Sequence, residues 1–193
     1  MALNILSSGS FVPYAKYNAK SGRWYTRKDE QEVEVSSPVF VIDFDNIKTG
    51  WFLFMEGQAP SVVFDASLTQ VAPKPSDMHK RGFQVRLFSN AHFGGVAEFT
   101  ANSMHTCNAV NDLYTQYEKD LPKNAGKLPV VAFKGVEATK DKFGTNYKPL
   151  FVIEEWVYRP AVFDAAKKTE AAKPAAAQHA VTPAQNSPAV SEF

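Results

Sequence analysis

Residues 102–121, NSMHTCNAVNDLYTQYEKDL, set Met104, Cys107, Val110, Leu113, Tyr114, Tyr117 and Leu121 at three- and four-residue intervals. This is the period of an amphipathic helix, and Asn102 or Ser103 can cap its first turn by accepting from a backbone amide. Pro122, Asn124 and Gly126 follow and stop it. It is the single convincing helix of the chain, so the fold turns on what surrounds it.

Working outward, the flanking segments alternate with period two. In PVFVIDFD (38–45) Phe40, Ile42 and Phe44 take one face and Val39, Val41 and Asp43 the other. GWFLFME (50–56) follows closely enough to predict a hairpin with it, its turn on the solvent side. SVVFD (61–65), GFQVRLFS (82–89) and GGVAEFT (94–100) continue the strands. After the helix, PVVAFKGVEAT (129–139) and YKPLFVIEEWVY (147–158) predict a hairpin through the turn KDKFG (140–144). In the last strand Phe151, Ile153 and Val157 share one face, and Val152, Glu154, Trp156 and Tyr158 the other. The expected class is all-β with one helix, an OB-fold-like Greek-key barrel; the OB order places its helix between the third and fourth strands, which suits this chain if the first hairpins form one bent sheet. An open sandwich is the alternative, and the strands before the helix outnumber those of a minimal OB order. Residues 165–193 are mostly Ala, Pro, Lys, Gln and Ser, which predicts one domain over 1–164 and a disordered tail over 165–193.

The composition fits such a domain, with 15 Phe, 7 Tyr and 3 Trp for pleated surfaces. No stretch has the roughly 20 apolar residues of a membrane span, and MALNILSSGSF lacks a charged leader region. The expectation is a soluble, unprocessed chain in a reducing, cytosol-like compartment, because Cys107 is the only cysteine and cannot form an intrachain disulfide. The net charge of +1 conceals an uneven distribution. Residues 1–28 carry five basic and no acidic groups, residues 29–165 carry 13 basic and 18 acidic, and the tail three Lys and two Glu.

Catalytic patterns are few. Asp43 and Asp45 at the end of an apolar run resemble the first motif of haloacid-dehalogenase-type phosphatases, but a strand-like segment stands where that family needs a helix. Two carboxylates approaching a turn is the simpler reading. No phosphate-binding glycine loop occurs. His79, His92, His105 and His179 are each thirteen or more positions apart, which predicts neither a metal site nor a cofactor. Cys107, on the apolar stripe, reads as core.

The remaining signal is YAKYNAKSGRWYTRK (14–28), where Lys16, Lys20, Arg23, Arg27 and Lys28 alternate with Tyr17, Trp24 and Tyr25. Single-stranded nucleic acid needs cations that displace phosphate counterions and rings on which unstacked bases lie, each stack worth about 1–3 kcal/mol. The same residues could equally form a sheet edge with rings inward and cationic stems over them. A second cluster, Lys134, Lys140, Lys142, Phe143, Tyr147, Lys148, Trp156, Tyr158 and Arg159, lies along the last hairpin, which in an OB barrel can border the binding groove; Lys140, Lys142, Phe143, Tyr147, Lys148 and Trp156 are its candidate binding residues.

That hairpin, VVAFKGVEATKDKFGTNYKPLFVIEEWVYRP (130–160), resembles the final hairpin of bacteriophage OB-fold single-stranded-DNA-binding proteins, and PVFVIDFDNIKTGWFLF (38–54) resembles their early strand pair. The resemblance spans about residues 10–163. It implies sequence-tolerant, non-enzymatic binding of single-stranded DNA in phage replication or recombination, in the cytoplasm of the bacterial host. Such proteins often end in an acidic tail closing on Phe that docks replication or recombination partners. Here Glu192 and Phe193 match in outline, while Lys167, Lys168 and Lys173 make the tail slightly basic. Phe193 is the candidate docking residue. A phage structural or assembly protein, using the β domain for protein contacts, is the alternative.

Overall fold

The computed structural model describes residues 13–29, 31–142 and 144–164. The predicted tail and Phe193 lie outside them. Ten strands form one sheet: β1 (Tyr14–Asn18), β2 (Arg23–Lys28), β3 (Gln31–Val35), β4 (Val39–Ile42), β5 (Lys48–Leu53), β6 (Ser61–Phe64), β7 (Lys80–Ser89), β8 (Gly95–Ala101), β9 (Lys127–Asp141) and β10 (Gly144–Tyr158). A one-turn helix, α1 (Asn90–Phe93), links β7 to β8, and α2 (Met104–Asp120) is the long helix. The strand order is β10-β9-β4-β7-β8-β1-β2-β3, with β5 on β7 and β6 on β5. The sheet curls into a half-barrel, so the chain is β-rich with one long helix and OB-like, as expected from the sequence. No helix among the described residues is long and apolar enough to cross a membrane.

The long strand β7 organises the sheet. One edge pairs with β8 from Phe83 to Ser89; the other pairs with β5 through Lys80 to Gln84 and with β4 through Leu87 and Phe88. The expected hairpin of the two segments at 38–56 therefore does not form. β4 and β5 instead follow one another along the same edge of β7, separated by a 3₁₀ turn at Phe44–Asn46. Both face one neighbour and so cannot face each other; β4 finds its second partner in β9 and β5 finds its own in β6.

Period-two patterning sorts the core. Tyr17, Trp24, Phe40, Ile42, Val85, Leu87, Phe99 and Val131 face inward, where α2 covers them with Val110, Leu113 and Tyr117. Ser103 is the α2 cap, its Oγ accepting from the Thr106 amide. Asn102 is not: its side chain donates to the Phe52 carbonyl. Met104, counted in the predicted apolar stripe, is exposed in the first turn. On the opposite face Val41, Leu128 and Val130 are covered by Phe163, from the turn that follows β10.

The segment that follows β10 is held by charge as well. Asp43 is fully buried, and both of its oxygens accept from Arg159, at 2.5 and 2.7 Å, and from the Asn46 amide at 3.0 Å. Asp45 accepts from the Tyr117 hydroxyl at 2.7 Å. The solvent-side placement expected for the two carboxylates holds for Asp45, which is exposed, and is corrected for Asp43, which the 3₁₀ turn directs inward, where Arg159 neutralises it.

Candidate nucleic-acid interface

Strands β1 and β2 pair as a hairpin in the register Ala15 with Thr26, Lys16 with Tyr25, Tyr17 with Trp24 and Asn18 with Arg23. Since side chains alternate, this register sends Tyr17 and Trp24 inward and Lys16, Arg23 and Tyr25 outward. Trp24 is 1% exposed and meets the rings of Tyr17, Phe40, Phe93, Phe99, Phe133 and Phe151. Its Nε1–H has no hydrogen-bond partner among the described residues. An unsatisfied buried donor costs about 1–3 kcal/mol, less than the roughly 4–6 kcal/mol from burying a ring of this size. Tyr17 is 7% exposed, its hydroxyl donates to the Tyr147 carbonyl at 2.9 Å, and burial pushes its pKa up to about 12. The expectation that these two rings stack on bases is corrected here: with their faces already packed, they form the core of the hairpin instead.

The outward residues are held differently. Lys16 pairs with Glu32 at 2.8 Å, and Arg23 with Glu34 at 2.8 Å, both acids coming from the adjacent strand β3. The Lys16 ammonium also lies 5.9 Å from the Tyr25 ring centre. The acid-free character of residues 1–28 is thus offset across the sheet by the next strand. Such exposed pairs contribute about 0–1 kcal/mol and exchange readily for another anion. Arg27 and Lys28 lie exposed at the end of β2.

The turn between β1 and β2 seats on β10. The Tyr147 amide donates to the Ala19 carbonyl at 2.7 Å, and Gly22, at φ +71°, fits against Tyr147 and Val136. This brings Lys20 beside the β9–β10 hairpin, where Lys140 opposes Thr145 two rungs beyond the Ala138–Tyr147 pair. Lys142 is exposed at the tip, Phe143 lies outside the described residues, and Lys148 reaches Asp112 of α2 at 2.7 Å. The two basic segments, more than 100 residues apart in sequence, therefore meet.

Trp156 does not join them. The register of β10 against β9 shifts between Ile153 and Glu155, so Glu154 and Glu155 are both exposed and the alternation changes parity. Trp156 turns to the side of Phe151 and Ile153 and stacks on Tyr117 with ring centres 5.7 Å apart. The face predicted for it by strict alternation is corrected by this bulge, while Tyr158 beyond it is 78% exposed.

Cations that the sequence motifs do not mark lie at the start of β7. Arg81 donates to both oxygens of the nearly buried Asp65, at 2.9 and 2.6 Å, and its guanidinium sits 5.2 Å from the Trp51 ring centre. The Arg81 hydrogen bonds hold the Asp65 carboxyl well below the usual carboxylate range. Lys80 is exposed next to it. The signal available was the run His79-Lys80-Arg81 opening an alternating strand. Cys107 is half-buried on α2, its thiol pushed up to about 11 by burial. Among the described residues no three His, Cys, Asp or Glu side chains converge as metal ligands would. No protein-family model, curated protein or solved structure matches this chain.

Proposed function

We propose that this protein binds single-stranded DNA without sequence preference and without catalysis, on the surface where the β1–β2 turn meets the β9–β10 hairpin. The observation that carries the reading is the Tyr147–Ala19 hydrogen bond, because it joins the segment carrying Lys20 to the hairpin that carries Lys140, Lys142 and Lys148, with Tyr147 at the junction. Phosphates displace the weak exposed ion pairs of Lys16, Arg23 and Lys148, and partly exposed Tyr25 and Tyr147 are the rings left to stack on bases. The resemblance of residues 38–54 and 130–160 to phage single-stranded-DNA-binding proteins supports a role in phage replication or recombination within a bacterial cytoplasm.

The test is fluorescence anisotropy with labelled dT oligomers and matching duplex at two salt concentrations. Tight single-strand binding that weakens steeply with salt supports the reading. Absence of binding at low salt overturns it.

A second reading, a phage structural or assembly protein, is favoured by a different observation. Among the described residues strand β6 pairs only with β5 and is largely exposed, and Phe54, Val63 and Phe64, with Leu68, Val71 and Met78 in the segment that follows, are exposed apolar side chains. An open apolar edge is a template for another strand. Salt-insensitive self-association without DNA affinity would favour this reading.

A further inference from the structure

A cleft of about 590 Å³ opens between the β1–β2 turn, the start of β7, the first turn of α2 and the start of β10. Lys20, Lys80, Arg81, His105, Asn108 and Asn146 line it, and no Asp or Glu among the described residues does. The charge of Arg81 is balanced by Asp65, which lies outside the lining. Lys80 has no ion-pair partner among the described residues, so the cleft holds unbalanced positive charge with amide side chains around it.

From this convergence we infer that the cleft is a phosphate-binding site. A phosphate group matches both features: it takes charge from Lys80, and its oxygens accept from the Asn108 amide and from the His105 ring. The backbone amides of Met104 and His105 precede the first hydrogen-bonded amides of α2 and add donors at the same end. Lys20 and Asn146 belong to the junction of the β1–β2 turn with β10, so the cleft continues the proposed DNA surface toward α2. For the carrier of the phosphate, this inference rests on the nucleic-acid reading: the strand backbone enters the cleft after crossing the junction.

The test is amide-resolved NMR of the full chain with a short dT oligomer and, separately, with inorganic pyrophosphate. Each is repeated on the double variant Lys80→Gln, His105→Gln, with thermal melting to verify its fold and anisotropy to read the salt slope. The expected result is oligomer-induced shifts at Lys20, Lys80, His105 and Asn108, with a several-fold affinity loss in the variant. Its slope of log affinity on log salt falls by about 0.7 for each phosphate that the variant no longer neutralises. Oligomer binding with no shift in the cleft and no change in the variant overturns the cleft and leaves the DNA reading standing. Pyrophosphate shifts at these residues without oligomer binding support the cleft as a site for a free phosphate compound and overturn the DNA reading. Silence with both probes overturns both.

Discussion

The Tyr147 amide donates to the Ala19 carbonyl at 2.7 Å, and the turn that carries Ala19 fits there because Gly22 has no side chain. A Cβ on Gly22 would lie 3.2 Å from Tyr147 Cγ and 3.2 Å from Val136 Cγ1, on a backbone at φ +71°. Gly22→Ala combines left-handed backbone strain of about 1–2 kcal/mol with this crowding. It should lower the melting temperature, and it should weaken dT binding by more than the same loss of stability introduced on the far side of the sheet.

Trp24 and Tyr25 are neighbours with opposite fates. Trp24→Ala should cost about 3–5 kcal/mol of folding stability, since it empties the centre of the aromatic core. Tyr25→Ala should change stability by less than about 0.5 kcal/mol and reduce dT affinity about tenfold, if the ring stacks on one base. Paired denaturation and anisotropy measurements check both, and the reverse pattern would refute the assignment of core and surface.

Asp65 ties β5 and β7 to the following loop, accepting from Arg81, from Thr49 Oγ1 and from the Ala72 amide. Because its folded pKa lies below the ordinary value of about 3.9, its stabilisation is complete above that pH and fades as the pH falls toward the folded value. Asp65→Asn should cost about 3 kcal/mol near neutrality, the low end for a buried pair because Arg81 is partly exposed. Its stability should decline less than that of the wild type below about pH 4, read from denaturant midpoints across acid pH.

Arg159 and Asp43 are 116 residues apart and form the clamp at the end of β10. Arg159→Ala leaves a fully buried carboxylate that keeps the Asn46 amide, and should destabilise by about 3–5 kcal/mol. The double variant Arg159→Met, Asp43→Leu should recover much of that loss, because the penalty belongs to the uncompensated charge. A double-mutant cycle on chemical denaturation reads the difference.

The legible parts of this chain are those where one local period decides. The α2 stripe from Cys107 to Leu121 and the alternation of 82–89 and 94–100 each needed only neighbours in sequence, and the elements stand where the pattern puts them. The β4–β5 relation was not legible, because it depends on β7 offering one long edge to both. Neither was the side taken by Trp156, since a single extra residue in β10 reverses every face after it. Among the candidate site residues, alternation in β1 and β2 is strict, but nothing in the sequence says which parity faces the core; the packing of Trp24 against six rings decides that.

The sequence by itself determined a β-rich domain with one long helix, through the periods of its apolar residues, and it marked the two basic, aromatic segments. Tertiary structure alone decided that these segments touch at Ala19 and Tyr147, that Glu32 and Glu34 face Lys16 and Arg23, and that Lys20, Lys80 and His105 share one cleft. The reason is physical: periodicity reports the local burial of each element, whereas the meeting of distant charges depends on how a curled sheet closes.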